Sequence, residues 1–133
     1  MSVSNSDLIK DALSLIGVLN EVQEPSPEQG AHGLRALNSL MAAWQKKGLD
    51  LQYFTQTSTN DDTPIPEECQ AVVTYYLSFA LAPYYGRQVT PEMRSLASEL
   101  YDVLVREAVQ FAMQESELLS LPGRALYDIN TDT

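Results

Sequence analysis

Apolar residues recur at helical spacing in four blocks along the chain, separated by polar stretches rich in proline, glycine and serine. In the first block Leu8, Ile9, Ala12, Leu13 and Ile16 fall on one face of a helix. Ser4 or Ser6 can cap its free amides, and Gly17 can take the left-handed conformation that closes it. Val18 to Pro25 is too short and too acidic for another helix. The second block has the strongest start signal: Ser26-Pro27-Glu28-Gln29 supplies a cap, a proline at the first helical position and a glutamine able to reach back. Its stripe is Leu34, Leu37, Met41 and Trp44, with Leu40 beside it, and Gly48 ends it. Gly30 and Gly33 weaken this helix by about 1 kcal/mol each relative to alanine; close approach of another helix is one reason to keep them.

From Leu49 to Pro66 the pattern changes. Leu51 to Thr57 is rich in strand formers, while Asn60-Asp61-Asp62 and Pro64-Ile65-Pro66 are turn material. A single strand must find a partner for its backbone, and the sequence offers no second strand. Pairing with a neighbouring subunit and a plain ordered loop are the two readings. The third helix is expected from Glu67 to about Tyr84. Its apolar positions (Val72, Val73, Tyr76, Leu77, Phe79, Ala80 and Leu81) lie nearly all round, as in a central helix. Pro83 should kink or end it. The fourth opens at Thr90-Pro91-Glu92 and is expected to reach about Leu119, with Met93, Leu96, Leu100, Leu104, Ala108, Phe111 and Ala112 on its buried face. Its far end should project beyond the bundle, and Pro122-Gly123 should stop it.

The pattern therefore predicts an all-α fold. It is a four-helix bundle with a long projecting C-terminal helix, an extended loop or strand excursion at 49–66, and an extended C-terminal tail. Residues 1–120 would form the helical domain and 121–133 the tail. Leu126, Tyr127 and Ile129 make that tail too apolar to be merely solvated, which points to docking.

Composition narrows the partners. The 133 residues are 44% apolar and 20% charged, a globular balance. Eighteen acids against eight bases give a formal charge of -10, and only Lys46 and Lys47 are adjacent bases. Wrapping a phosphate backbone needs clustered cations, so tight DNA binding by one copy is not expected. The single cysteine, Cys69, excludes an intrachain disulfide and a multi-cysteine zinc site. The longest uncharged stretch, Cys69 to Gly86, holds four tyrosines, Gln70, Thr74 and Pro83 and is too polar for a membrane span. The start lacks a signal-peptide pattern, so a soluble protein made in a reducing cytoplasm is expected.

Chemistry is sparse. His32 is the one histidine, and no phosphate-cradling glycine loop or nucleophile elbow occurs. The acid pairs Asp61-Asp62, Glu67-Glu68 and Glu115 with Glu117 fall in loops or near helix ends, where solvent keeps both members ionised. Cys69 reads as a small core residue and Tyr76 as core. Adjacent tyrosines on one helix point in different directions, so Tyr84 or Tyr85 is a candidate interface residue. No catalytic, cofactor-binding or metal-binding residue is assigned, and no cofactor is expected.

With the helices placed, the chain resembles the head-to-tail adaptors of tailed bacteriophages, which include the packaged-DNA stabilisation proteins of short-tailed phages. The resemblance is carried by four segments: Ala12-Leu13-Ser14-Leu15-Ile16-Gly17-Val18, Gly33 to Trp44 with Gly48-Leu49, Leu81-Ala82-Pro83-Tyr84-Tyr85-Gly86, and Tyr127-Asp128-Ile129-Asn130. It implies a non-enzymatic virion protein, made in the host cytoplasm, that forms a ring of copies (twelve in the family) beneath the portal. Such a ring extends the DNA channel, retains packaged DNA that passes without sequence-specific binding, and offers a platform to a tail or nozzle protein. On this reading Leu121, Leu126, Tyr127, Asp128, Ile129 and Asn130 contact the portal or a neighbour. Leu51, Tyr53, Phe54, Tyr84 and Tyr85 are the inter-subunit candidates. Two other readings are a small acidic module that mimics DNA to bind a basic protein, and a cell-wall hydrolase, which would need a buried carboxylate pair.

Overall fold

A computed structural model describes residues 3–20 and 22–127, with side chains through residue 110. The chain folds as α1 (Asn5–Leu15), α2 (Pro27–Lys46), α3 (Glu67–Leu81) and α4 (Pro91–Tyr127), with a 3₁₀ turn at Ala82–Tyr85. The fold is all-α, as the periodicity predicts. Ser4 caps α1 in a capping box with Asp7, and Ser26 caps α2 in one with Gln29, with Pro27 in the first turn. Thr90 Oγ1 accepts from the Met93 amide at 3.1 Å to start α4. Gly17, Gly48 and Gly86 take left-handed φ where α1, α2 and the 3₁₀ turn end.

Helix α3 is the central one, packed against both α1 and α2. Leu8, Ile9, Leu13, Leu37, Val73, Leu77 and Leu81 are almost completely buried, each worth about 1.5–3 kcal/mol relative to exposure. Helices α1 and α2 meet at Gly33, where a Cβ atom would lie only 2.6 Å from Ile9 Cγ2. That close approach is what the glycine permits. Gly30 faces the following loop instead, since its Cβ would meet Thr59 Cγ2 at an ordinary 3.5 Å.

The start of α4 is tied to the helical core through aromatic side chains. Tyr101 sits 5.2 Å from the Trp44 ring and 5.6 Å from that of Tyr76, and Trp44 and Tyr76 are themselves 5.6 Å apart in edge geometry. The Arg94 guanidinium lies 5.4 Å from the centre of the Phe79 ring. Two expectations need correction. Leu96, placed on the buried face by the leucine spacing, is 44% exposed, while Ala97 is fully buried. Tyr101, four residues after Ala97, carries the contact, so the buried stripe takes in Ala97 and Tyr101 in place of Leu96, while Leu104 is buried as the leucine pattern expects. The second correction concerns the helix end: α4 runs through Pro122 and Gly123 to Tyr127. An interior proline removes one intrahelical bond and crowds the carbonyl four residues before it, a cost of about 3 kcal/mol that the good helix formers Arg124-Ala125-Leu126 do not cancel. Contacts divide the chain into Met1–Tyr101 and Asp102–Thr133, a boundary inside α4.

The segment between α2 and α3 resolves the strand-or-loop alternative. Among the described residues there is no strand, and the only bridge pairs Ser4 with Asp62. The Asn5 and Ser6 amides donate to the carbonyls of Asp61 and Thr59 at 2.9 Å each, and the Thr63 amide donates to Val3 at 2.8 Å. Residues 51–57 form a loop in which side chains rather than a ladder take up the backbone: Asn38 bonds the Gln56 amide and carbonyl, Gln56 the Phe54 carbonyl and Asp50 the Gln52 amide.

Candidate interaction surface

Asn38 lies in the middle of α2, a position where asparagine is a poor helix former. Its side chain turns to the loop. Nδ2 donates to the Gln56 carbonyl at 3.0 Å, and Oδ1 accepts from the Gln56 amide at 2.9 Å and from the Tyr53 hydroxyl. From the other side Asn5, fully buried at the start of α1, donates through Nδ2 to Gln56 Oε1 at 2.9 Å and to the Ser58 carbonyl at 3.0 Å. Gln56 Nε2 donates back to the Phe54 carbonyl at 2.9 Å. Burial pushes the Tyr53 hydroxyl up to about 12, against a smaller lowering by the Gln56 backbone. Asn5 Oδ1 has no hydrogen-bond partner among the described residues.

The result is a loop pinned on both sides of Phe54, whose own ring is 67% exposed. Holding a large apolar ring in water on an ordered loop costs the single chain the free energy its burial would supply, about 25 cal/mol per Å². A flexible loop could fold the ring away; this one is clamped.

A second aromatic projection lies at the 3₁₀ turn. Tyr84 is 71% exposed, and the His32 ring stands edge-on to it with centres 4.4 Å apart, with Tyr85 at 6.0 Å. His32 and Tyr84 line a groove of about 590 Å³ together with Arg35, Ala36, Leu40 and Ala80. A shallower groove of about 430 Å³ runs between α1 and α3, past Leu8, Asp11, Leu15 and Tyr75. There desolvation, and then the neighbouring Asp7, push the Asp11 carboxyl above the usual carboxylate range.

Charge is distributed unevenly over these surfaces. Arg35, Lys46 and Lys47 are exposed along α2, and none has an ion-pair partner among the described residues. From Gly48 to Gly86 there is no lysine or arginine, while Asp50, Asp61, Asp62, Glu67 and Glu68 are all exposed. The pairs Asp61-Asp62 and Glu67-Glu68 are therefore solvated, as expected from sequence.

Of the residues singled out from sequence, Phe54 and Tyr84 are exposed, Tyr53 and Tyr85 are half-buried, and Leu51 is in the core. Leu121, Leu126 and Tyr127 belong to α4, though their side chains lie outside the described residues, as do Asp128, Ile129 and Asn130 altogether. Cys69 is buried. Sequence reasoning missed Asn38, Asn5 and Gln56, which position the loop; the one available signal was an asparagine within an otherwise strong helical stripe. It also treated His32 separately from Tyr84, which the fold brings to one groove. Among the described residues no three His, Cys, Asp or Glu side chains gather at metal-binding distance, and no helix is long and apolar enough to cross a membrane.

Compared with known proteins, the family described as P22 tail accessory factor matches residues 2–122. No curated protein matches the chain.

Proposed function

The chain belongs to the P22 tail accessory factor family, a family of bacteriophage structural proteins, and on that premise we propose that it is a head-to-tail adaptor. Copies assemble as a ring beneath the portal, lengthen the DNA channel, retain the packaged genome and offer a platform to the next tail protein. The observation that carries this reading is the extent of the family match, which covers all three core helices and most of α4. Two features of the surface support it. The clamped loop and the 3₁₀ turn each hold an aromatic ring in water, and exposed aromatic anchors are characteristic of protein interfaces. The charge of -10 per copy suits a channel lining past which DNA slides without sticking.

Portal contact is assigned to Leu121, Leu126, Tyr127, Asp128, Ile129 and Asn130, and lateral contact to Tyr53, Phe54, Tyr84 and Tyr85, Leu51 being withdrawn because it is buried in the core. Ring size, twelve copies on the family pattern, follows the portal. The reading is tested in the phage itself by disrupting this gene. The expected particles are heads that fill with DNA, leak it and carry no tail; intact infectious particles would refute the adaptor role. Truncation after Ser120 should give a folded chain that no longer joins the portal, and normal joining would remove the docking role of those residues.

A further inference from the structure

The clamped loop offers an exposed aromatic ring and the groove an apolar recess, on different faces of one chain. Asn38, which pins the loop on either side of Phe54 through Tyr53 and Gln56, is two residues from both Ala36 and Leu40, which line the groove. Two residues along an α-helix are about 200° apart. Ala36 and Leu40 thus face away from the loop across α2, while Arg35, about 60° round from Asn38, lies at the near edge of the groove.

We propose that Phe54 of one copy seats in the groove between α2 and the 3₁₀ turn of a second copy, against Ala36, Leu40, Ala80 and Tyr84. This rests on the ring reading and names the lateral contact within it. Three observations select a second copy as the occupant. Phe54 supplies a rigid aromatic anchor that is 67% exposed among the described residues, and the groove supplies apolar walls with an exposed tyrosine to stack on. The charges are complementary: the segment from Asp50 to Asp62 carries the exposed Asp50, Asp61 and Asp62 and no lysine or arginine, and the groove is lined by the exposed Arg35. In a chain with ten net negative charges, that local pairing is what lets two acidic copies approach. The placement on different faces makes the contact head-to-tail. A projection and a recess on different flanks repeat from copy to copy and close into a ring when the rotation allows, whereas a twofold dimer would bring the same patch together.

The test uses the full chain with the photo-crosslinking residue p-benzoylphenylalanine in place of Phe54, irradiated both in a concentration series and bound to the cognate portal. The proposal expects cross-links between copies that map to residues 36–40 or 80–84. It also expects Phe54→Ala and Arg35→Glu each to raise the concentration for half-maximal self-association by about tenfold or more. Both residues are exposed, so thermal unfolding of the variants should match the parent. Cross-links joining two position-54 loops, cross-links only to the portal, or none on an assembled ring would overturn it. Failure of this contact is separable from failure of the adaptor reading. Portal binding at one copy per portal subunit without groove cross-links retires the contact alone. Groove cross-links in a chain that ignores the portal retire the adaptor reading alone.

Discussion

Replacing Gly33 by alanine tests the packing of α1 on α2 at a single atom. In an isolated helix the change would stabilise by about 1 kcal/mol, because alanine loses less backbone freedom. Here the added Cβ would stand 2.6, 3.0 and 3.2 Å from Cγ2, Cγ1 and Cδ1 of Ile9. Ile9 is wholly buried, and its branched side chain is stiff about χ1, so it cannot swing aside. The helices must part instead. Overpacking costs about 1–3 kcal/mol; a 2.6 Å contact with a wholly buried side chain belongs in the upper half of that range, about 2–3 kcal/mol, and subtracting the propensity gain leaves a net destabilisation of about 1–2 kcal/mol. Urea unfolding followed by far-UV circular dichroism measures it, and the midpoint in a thermal scan should fall by about 4 °C per kcal/mol. Two companions separate the mechanism from general fragility. Gly30→Ala, whose Cβ meets only Thr59 at 3.5 Å, should be neutral or stabilising. In an Ile9→Ala background the clashing atoms are gone, so Gly33→Ala should become harmless, a coupling that a double-mutant cycle reads directly. A Gly33→Ala protein as stable as the parent would show that the close approach is not what keeps this glycine.

Three further changes probe the loop and its supports. Asn38→Ala strips partners from the Gln56 amide and carbonyl and from the Tyr53 hydroxyl; it should cost about 2–3 kcal/mol and speed hydrogen exchange at the Gln56 amide, and unchanged protection there would remove the clamp. Tyr53 keeps its proton to about pH 12 when folded, against an ordinary value of 10. The unfolded chain therefore loses that proton first, and stability present below pH 10 falls as pH rises toward 12. After allowance for solvent screening of a half-buried group the loss is about 1 kcal/mol, and Tyr53→Phe should abolish that part of the alkaline slope. Ser26→Ala removes the capping bond to the Gln29 amide and should lower stability by about 1 kcal/mol in the same urea assay; no loss would mean that Pro27 alone sets the start of α2.

The helices were readable because their signals are local. Ser26-Pro27-Glu28-Gln29 contains its own capping box, and the all-round apolar pattern of 67–81 already marks a central helix. What failed was non-local. The stripe of α4 is set by Tyr101 meeting Trp44 and Tyr76 across the fold, and a pattern that counts leucines puts Leu96 in its place. Pro122-Gly123 read as a stop, whereas α4 continues to Tyr127 and carries the cost of an interior proline, about 3 kcal/mol. The loop at 49–66 looked like an unpaired strand because Leu51, Tyr53, Phe54 and Thr55 favour extended backbone. Its partners are the side chains of Asn5 and Asn38, about 51 and 18 residues from Gln56, and no spacing rule connects them. Of the surface, Phe54 and Tyr84 were legible as aromatic residues in turn-rich segments. The groove was not, since His32, Arg35 and Tyr84 converge only once the 3₁₀ turn packs beside α2.

The central claim is that this chain is a ring-forming adaptor, and the most direct measurement is solution mass. Analytical ultracentrifugation of the protein alone and mixed with its cognate portal ring would supply it. The account predicts that the chain shifts onto the portal until about one copy is bound per portal subunit. A portal ring that sediments unchanged in excess protein would contradict it.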